Sequence, residues 1–353
     1  MSKYYKIVLL IACTAFFSFS CQSNPGQKTK NDQPLAETMA DGLHEEIEVP
    51  PYLDKLPVSS FGEIWAYLVS GREASLKNTY PLTDIGYFGA EIDTYGRLTS
   101  VPDPKKIADF PGRVHLVVVC NSRTLSYFSL EEGSLVRKQL IYDLLEASKK
   151  FDGLQIDFEL VPAQSRAAFH SFLKELKTGL KNKPFTIALP ARRRTLEDDV
   201  YDYAAIAPIV DRIFVMAYDE HWSTSAPGPI ASMDWCKAVA EYSLRVIGPE
   251  KLVMGLPFYG RAWGNTNPSR AYIFSAIERI KKEHNIRNVQ RENGIPKFTY
   301  EVPVKVTVYY EDDFSLSARM EMYRSLGVKS IGFWSLGQES PTFWYFLRLE
   351  EPR

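Results

Sequence analysis

Cysteine, histidine and net charge are all scarce in this chain of 353 residues. The 4 cysteines and 5 histidines have no spacing typical of a zinc site, so we expect neither a metal nor a cofactor. We expect Cys120 and Cys236, in a strand-like and a helix-like run, to be buried thiols. Lysine plus arginine (42) and aspartate plus glutamate (43) leave a formal net charge of -1, so no overall field attracts nucleic acid.

A single apolar run near the N-terminus indicates export. Two lysines precede apolar residues 7–19, a segment too short to span a bilayer comfortably and typical of a secretion signal. The Ser-Phe-Ser-Cys sequence that ends at Cys21 resembles the lipobox of bacterial lipoproteins, with phenylalanine as a departure. The resemblance implies lipidation of Cys21 and a membrane-anchored protein of the cell envelope, periplasmic or surface-facing. The alternative is ordinary cleavage that leaves Cys21 free or paired.

The rest of the chain divides into a tether and one domain. Residues 1–20 form the predicted signal, and residues 21–51 are polar with little apolar periodicity, which predicts a disordered tether. Residues 52–353 suffice for one large core. We expect this domain to act as a monomer, and it contains no internal repeat of a carbohydrate-binding type.

The domain has the alternating pattern of a parallel α/β fold. Apolar β-branched runs alternate with segments of helical periodicity, as in βα units. The predicted strands are 64–68, 85–90, 115–121, 154–159, 185–190, 212–218, 252–258 and 330–336, and the helices between them include 135–150, 167–180, 235–247 and 316–326. Eight such strands close a TIM (β/α)8 barrel. A helix at 271–283 and strands at 298–302 and 304–310 predict a small insertion between strands seven and eight.

The segment 152–159, DGLQIDFE, contains the most informative pattern. Because a strand alternates its faces, Gln155, Asp157 and Glu159 share one face and the apolar residues between them share the other. The polar face therefore points into the barrel, at the carboxyl end where barrel enzymes place catalytic groups. Two nearby carboxylates retain one proton between them, as a general acid requires. The alternative is a buried polar network that only fixes the strand.

Several ordered motifs identify the chain as similar to glycoside hydrolase family 18, the chitinase-like TIM barrels. Residues 152–159 resemble the family's D-G-x-D-x-D-x-E signature, and residues 216–219 (MAYD) resemble its M-x-Y-D motif. Residues 255–263 (GLPFYGRAW) and 332–337 (GFWSLG) resemble its strand-seven and final-strand motifs, and residues 310–315 resemble the segment before its last helix. The similarity extends to the branch of spore-cortex-lytic N-acetylglucosaminidases.

The resemblance implies substrate-assisted hydrolysis beside an N-acetylated sugar, with retention. Glu159 would be the acid and base, Asp157 would hold the acetamido N–H, and Tyr218 would donate to the acetamido oxygen. Asp219 would support the same sugar and Trp334 would form the floor beneath it. The implied partner is an N-acetylated oligo- or polysaccharide, namely a chitin-like chain, peptidoglycan or an N-glycan.

Further groove residues are expected with less support from the motifs. They are Gln155, Met216, Tyr259, Arg261 and Tyr87. Met216 is also typical of a core, and Tyr259 and Arg261 could simply tie the seventh strand to its neighbour. Gln155 replaces an aspartate common in the family; a glutamine there can hydrogen-bond Asp157 but cannot share its proton.

Two other functions remain open at this point. A lectin-like surface protein would bind N-acetylated glycans without cleaving them, but such relatives commonly lack the terminal glutamate that this chain keeps as Glu159. A scaffolding lipoprotein is the other possibility, but it does not explain why Gln155, Asp157 and Glu159 form an inward-facing row. A glycosidase is therefore the favoured hypothesis.

Overall fold

The computed structural model describes residues 53, 55–264, 270–301 and 304–350. Its strands, in chain order, are β1 (Ser59–Phe61), β2 (Glu63–Val69), β3 (Asp84–Ile92), β4 (Leu98–Thr99), β5 (Arg113–Cys120), β6 (Gly153–Phe158), β7 (Phe185–Pro190), β8 (Arg212–Met216), β9 (Leu252–Pro257), β10 (Tyr259–Gly264), β11 (Arg270–Ile273), β12 (Gln290–Glu292), β13 (Ile295–Glu301), β14 (Lys305–Tyr309), β15 (Ser330–Trp334) and β16 (Leu347–Leu349). Its α-helices are α1 (Arg123–Leu130), α2 (Leu135–Ser148), α3 (Arg166–Leu180), α4 (Tyr203–Ile206), α5 (Met233–Ile247), α6 (Phe274–Glu283) and α7 (Asp313–Ser325).

The predicted signal, tether and lipidated Cys21 lie outside the described residues. The secretion signal, the disordered tether and the lipidation of Cys21 therefore stay predictions. In the part of the chain that the structure describes, no helix is long and apolar enough to cross a membrane.

Parallel strands close into a barrel, as the sequence predicts. Within the described ranges, eight strands pair side by side in the order β2-β15-β9-β8-β7-β6-β5-β3, and β2 also pairs with β3 to complete the circle. Each predicted strand overlaps one of them, and the four predicted covering helices correspond to α2, α3, α5 and α7. The TIM-barrel prediction is confirmed.

Alternation along the strands separates two apolar layers. On β6, Leu154, Ile156 and Phe158 are buried toward the helices, where Phe158 stacks on Phe169 and Phe172 at centroid distances of 6.3 and 5.9 Å. The barrel interior contains a separate cluster of Trp65, Tyr67, Phe88, Val117, Val119, Ala188, Phe214 and Val253. Met216, Tyr218 and Trp334 pack against that inner cluster, so they lie at its upper end.

A network of charged residues occupies the amino ends of the strands. Arg212 forms two hydrogen bonds with Glu63, at 2.9 and 2.7 Å. Arg113 binds Asp84 at 2.7 and 2.9 Å, and His115 Nε2 lies 2.7 Å from the same carboxylate. TIM-barrel enzymes have their active sites at the carboxyl ends of the strands. This network lies at the amino ends, so it contributes to stability and not to the site.

Gly153 has a steric reason to be glycine at the start of β6. A Cβ there would lie 2.2 Å from His115 Nδ1 and 3.0 Å from the carbonyl oxygen of Pro184. The glycine of the 152–159 segment thus lets β6 pack against the amino-end network and fixes the height of the residues that follow.

The insertion is a second sheet between β9 and β15. Within the described residues it has five strands in the order β11-β10-β14-β13-β12, all antiparallel, with α6 packed against it. The predicted strands at 298–302 and 304–310 correspond to β13 and β14. The prediction of a helix from residue 271 is wrong at its start: residues Arg270–Ile273 pair with β10 as β11, and α6 begins at Phe274.

The segment before α7 is structural. Asp312 and Ser315 form a capping box at the start of the helix. Glu311 and Arg319, both fully buried, bind through hydrogen bonds of 3.0 and 3.1 Å, and Arg319 also donates to the carbonyl of Ala231 at 2.6 Å. This pair fastens α7 to the loop that precedes α5.

Both predicted buried thiols are confirmed. Cys120 and Cys236 are free and buried, and burial raises the pKa of each thiol. Raised pKa values favour the protonated thiol, which is a poor nucleophile, so neither cysteine is a candidate for catalysis.

Candidate active site

Strand β6 places the predicted carboxylates at the carboxyl end of the barrel. Gln155 and Asp157 are buried on the inward face, and β6 ends at Phe158, so Glu159 is the first residue beyond the strand. The backbone N–H of Glu159 still donates to the carbonyl of Cys120, at 3.2 Å. Glu159 is half-buried at the upper opening of the barrel, where a ligand can reach it.

One oxygen of each of these two carboxyl groups is buried without a hydrogen-bond partner. Among the described residues, Asp157 Oδ1 and Glu159 Oε2 are buried and contact no donor. Burial raises the pKa of both groups, and repulsion from Asp157 and Asp219 raises the pKa of Glu159 further. A purely structural network would satisfy these oxygens. The raised pKa values instead favour a proton on this pair, and the two oxygens leave acceptor sites unused, as expected of groups that await a ligand.

Gln155 does not use its amide to bind Asp157. Its Oε1 accepts from the Tyr67 hydroxyl at 2.5 Å, and its Nε2 donates to Thr186 Oγ1 at 3.1 Å. Both ends of the amide are thus used, one by the adjacent strand β7 and the other by β2, which lies across the barrel interior and does not pair with β6. Asp157 is therefore not engaged by Gln155, and its charge interacts with Glu159, which lies just beyond the end of β6.

Tyr218 follows β8 and faces the carboxylates. Burial raises the pKa of its hydroxyl well above the usual value, and Tyr67, Tyr259, Asp157 and Glu159 raise it further, so the hydroxyl stays protonated and can donate a hydrogen bond. A Cβ at position 255 on β9 would lie 3.0 Å from Tyr218 Cε1, so Gly255 leaves the space that the ring occupies. Met216, at the end of β8, packs against the inner cluster beside it.

Asp219 is held firmly by the insertion. Its backbone has a φ of 56°. Its carboxylate accepts from the Tyr259 hydroxyl at 2.6 Å and from two guanidinium nitrogens of Arg261, with contacts of 2.8, 3.0 and 3.1 Å. Tyr259 and Arg261 therefore contact the candidate site through Asp219, and they also tie β10 to the end of β8.

Trp334 forms the lower wall of the opening. It ends β15, and its ring lies 5.1 Å from that of Tyr67 and 5.0 Å from that of Phe88, edge-on to the latter. Its peptide bond to Ser335 is cis. The indole is half-buried, which leaves part of its surface for a ligand.

Tyr87 does not line the groove, contrary to the prediction from the sequence. It is fully buried on the opposite face of β3, and its hydroxyl donates to Glu73 Oε1 at 2.5 Å. Phe88, the next residue, faces the interior instead. Phe88 and Tyr67 were not among the predicted site residues, although alternation along β3 and β2 offered a signal for both.

Comparisons with known proteins agree with this geometry. Residues 133–339 match the profile of glycosyl hydrolases family 18. The chain is 28% identical to an uncharacterized glycosylase, YvbX, of Bacillus subtilis (strain 168), over 73% of this chain and 75% of that protein. It is 26% identical to the cortical fragment-lytic enzyme of Bacillus anthracis, over 75% of this chain and 67% of the relative.

The fold is shared with a solved structure. The crystal structure of the Bacillus cereus spore cortex-lytic enzyme SleL superposes with a TM-score of 0.74 at 22% identity, covering 83% of this chain and 76% of the other. The ordered motifs, the closed barrel and the family match converge on one conclusion: the chain belongs to glycosyl hydrolase family 18 and is a glycosidase.

Proposed function

We propose that this glycosidase cleaves β-linked glycans that contain N-acetylglucosamine, with retention of configuration and with the substrate's own acetamido group as the nucleophile. The observation that carries this proposal is the pair of carboxyl oxygens without partners, on Asp157 and Glu159, beside the protonated hydroxyl of Tyr218. Together these groups offer a proton, an acceptor for an amide N–H and a donor for an amide oxygen. An acetamido group needs the last two.

The proposed reaction has two steps. Glu159 donates its proton to the glycosidic oxygen, and the bond to the anomeric carbon breaks as the acetamido oxygen attacks that carbon. Asp157 accepts from the acetamido N–H and offsets the positive charge of the resulting oxazolinium ion, while Tyr218 orients the acetamido oxygen before attack. Glu159, now a carboxylate, then takes a proton from the water that opens the ring, and the acid form is restored.

The alternative nucleophile, an enzyme carboxylate, is disfavoured by the geometry. Asp157 precedes Glu159 by two residues, with Cα atoms roughly 7 Å apart, so both groups approach the sugar from one side. A retaining pair of carboxylates flanks the scissile bond instead. Asp219 is the other nearby carboxylate, and it is engaged by Tyr259 and Arg261. A nucleophile supplied by the substrate agrees with this arrangement.

We also propose that the enzyme acts in the bacterial cell envelope, anchored through a lipid on Cys21. Support for this comes from the sequence: two lysines, the apolar residues 7–19 and the cysteine of a lipobox-like segment. A polar tether would then place the barrel within reach of surface glycans.

Product release identifies the polymer. The protein is incubated separately with chito-oligosaccharides, peptidoglycan and an N-linked glycopeptide, with Glu159→Gln alongside. We expect one of these to be cleaved by the wild type and not by the variant. If all three are bound but remain intact, the chain behaves as a lectin and the proposed reaction is wrong.

The pH dependence should report the coupled carboxyl pair. Because Glu159 must be protonated to act as the acid, we expect kcat/KM to fall as pH rises through the raised pKa of this group. Asp157→Asn removes a negative neighbour, so the pKa of Glu159 should drop and the alkaline limb of the residual activity should move to lower pH. An alkaline limb that stays in place in Asp157→Asn would show that another group supplies the proton.

A further inference from the structure

The position of Glu159 depends on more than strand β6. The parallel pairing of β6 with β7 ends at Ile156, and β6 itself ends at Phe158. Glu159 keeps a hydrogen bond from its N–H to Cys120, on the side of β5. On the β7 side, the ladder no longer holds the backbone at this height. A catalytic acid that must reach a glycosidic oxygen needs a second point of attachment here.

The hydroxyl of Tyr201 supplies that attachment. It donates to the carbonyl of Phe158 at 2.8 Å and accepts from the N–H of Val161 at 2.9 Å. These two backbone groups flank Glu159 on either side. One buried hydroxyl thus closes the short turn that presents the carboxyl group.

The loop between β7 and α4 holds Tyr201 in place. The backbone N–H of Tyr201 donates to Asp199 Oδ1 at 3.1 Å, and Arg192 binds the same carboxylate at 2.6 and 3.1 Å. The guanidinium of Arg192 lies 6.0 Å from the centroid of the Tyr201 ring, and Phe169 meets that ring edge-on at 6.2 Å. The tyrosine is 6% exposed, so its hydroxyl has little freedom to leave the turn.

We propose that Tyr201 is a positioning residue for catalysis: its hydroxyl, fixed by Arg192 and Asp199, sets the height and direction of Glu159. The proposal rests on the role of Glu159 as the acid. Tyr201 does not touch substrate in this account, and it acts through the backbone on either side of the acid.

Tyr201→Phe tests this role, because it removes one oxygen and keeps the packed ring. A displacement of about 1 Å from productive geometry can cost on the order of 10²-fold in rate. We therefore expect kcat to fall roughly 10- to 100-fold, with KM within about twofold of the wild type, on the substrate that the wild type cleaves. The full chain is used, and the thermal midpoint is measured in parallel.

Tyr203→Phe is a matched control. Tyr203 is also buried, and its hydroxyl donates to a backbone carbonyl, that of Pro190, at 2.7 Å. We expect this variant to lose similar stability and to keep the wild-type kcat. If Tyr201→Phe also keeps the wild-type kcat, the hydroxyl is merely structural and the proposal is overturned.

Two more variants keep the outcome decisive. Asp199→Asn weakens the hydrogen bonds that hold Tyr201 and leaves the Tyr201 ring unchanged, so it should lower kcat less than Tyr201→Phe does. If Tyr201→Phe does not fold, Asp199→Asn takes its place as the test. An unchanged kcat in Asp199→Asn then overturns the proposal. Glu159→Gln is assayed beside them. Full turnover in Glu159→Gln would refute the proposed function, whereas an inactive Glu159→Gln with a fully active Tyr201→Phe would refute only the role of Tyr201.

Discussion

Replacing Glu159 with glutamine is expected to lower kcat by roughly 10³-fold and to leave glycan binding intact, since general acid–base catalysis contributes on the order of 10²- to 10⁴-fold. The amide keeps the shape of the carboxyl group but has no proton to donate to a glycosidic oxygen. The same change removes the base of the second step, so neither half of the reaction proceeds at its normal rate. Steady-state kinetics and an equilibrium binding measurement with the same substrate test both parts of this expectation.

The chain offers a matched control for this variant. Glu339 lies just after β15, is half-buried, has a pKa raised by burial and has a buried Oε2 without a partner among the described residues. Its other oxygen accepts from the indole of Trp344 at 3.1 Å. Glu339→Gln should keep the wild-type kcat. Loss of activity in Glu339→Gln but not in Glu159→Gln would mean that the acid has been assigned to the wrong strand.

The barrel and the polar row on β6 could be predicted because both depend on local alternation. Gln155, Asp157 and Glu159 share a face through the two-residue period of a strand, and the apolar residues between them fill the layer under α3. Tyr218, two residues beyond the end of β8, was instead expected from the resemblance of residues 216–219 to the family motif. These features need no knowledge of which strands are neighbours.

Side-chain hydrogen bonds between residues far apart in the chain could not be predicted from alternation. The partners of Gln155, Tyr67 and Thr186, come from strands 88 and 31 residues away in the chain. Their choice over Asp157 depends on side-chain heights in the closed barrel. The bonds from Tyr201 to the turn at Glu159 likewise span 40 and 43 residues, and no motif in the sequence marks that tyrosine.

Two further differences have separate causes. Tyr87 was expected in the groove, but alternation along β3 sends it outward and Phe88 inward, just before the register shift between Phe88 and Ala90. Residues Arg270–Ile273 have helical periodicity with α6, yet they form β11 because β10 offers a free edge for pairing. Helical periodicity in the sequence does not show that β10 has a free edge.

The second large effect concerns the substrate. If the acetamido oxygen is the nucleophile, removal of the acetyl group leaves an amine that cannot form an oxazolinium ion. Neighbouring nucleophiles have effective molarities on the order of 10⁵ M or more, so we expect kcat to fall by at least about 10³-fold. Binding should survive better than turnover, because the new ammonium group can pair with the buried carboxylate of Asp157.

The most direct test is the rate of hydrolysis of one glycan in its fully N-acetylated form and in its de-N-acetylated form at equal length. The glycan is the one that the wild type cleaves, and binding of both forms is measured alongside. Cleavage of the acetylated form alone, with both forms bound, is the predicted result. Comparable hydrolysis of the de-N-acetylated form would contradict substrate assistance and require a nucleophile from the protein.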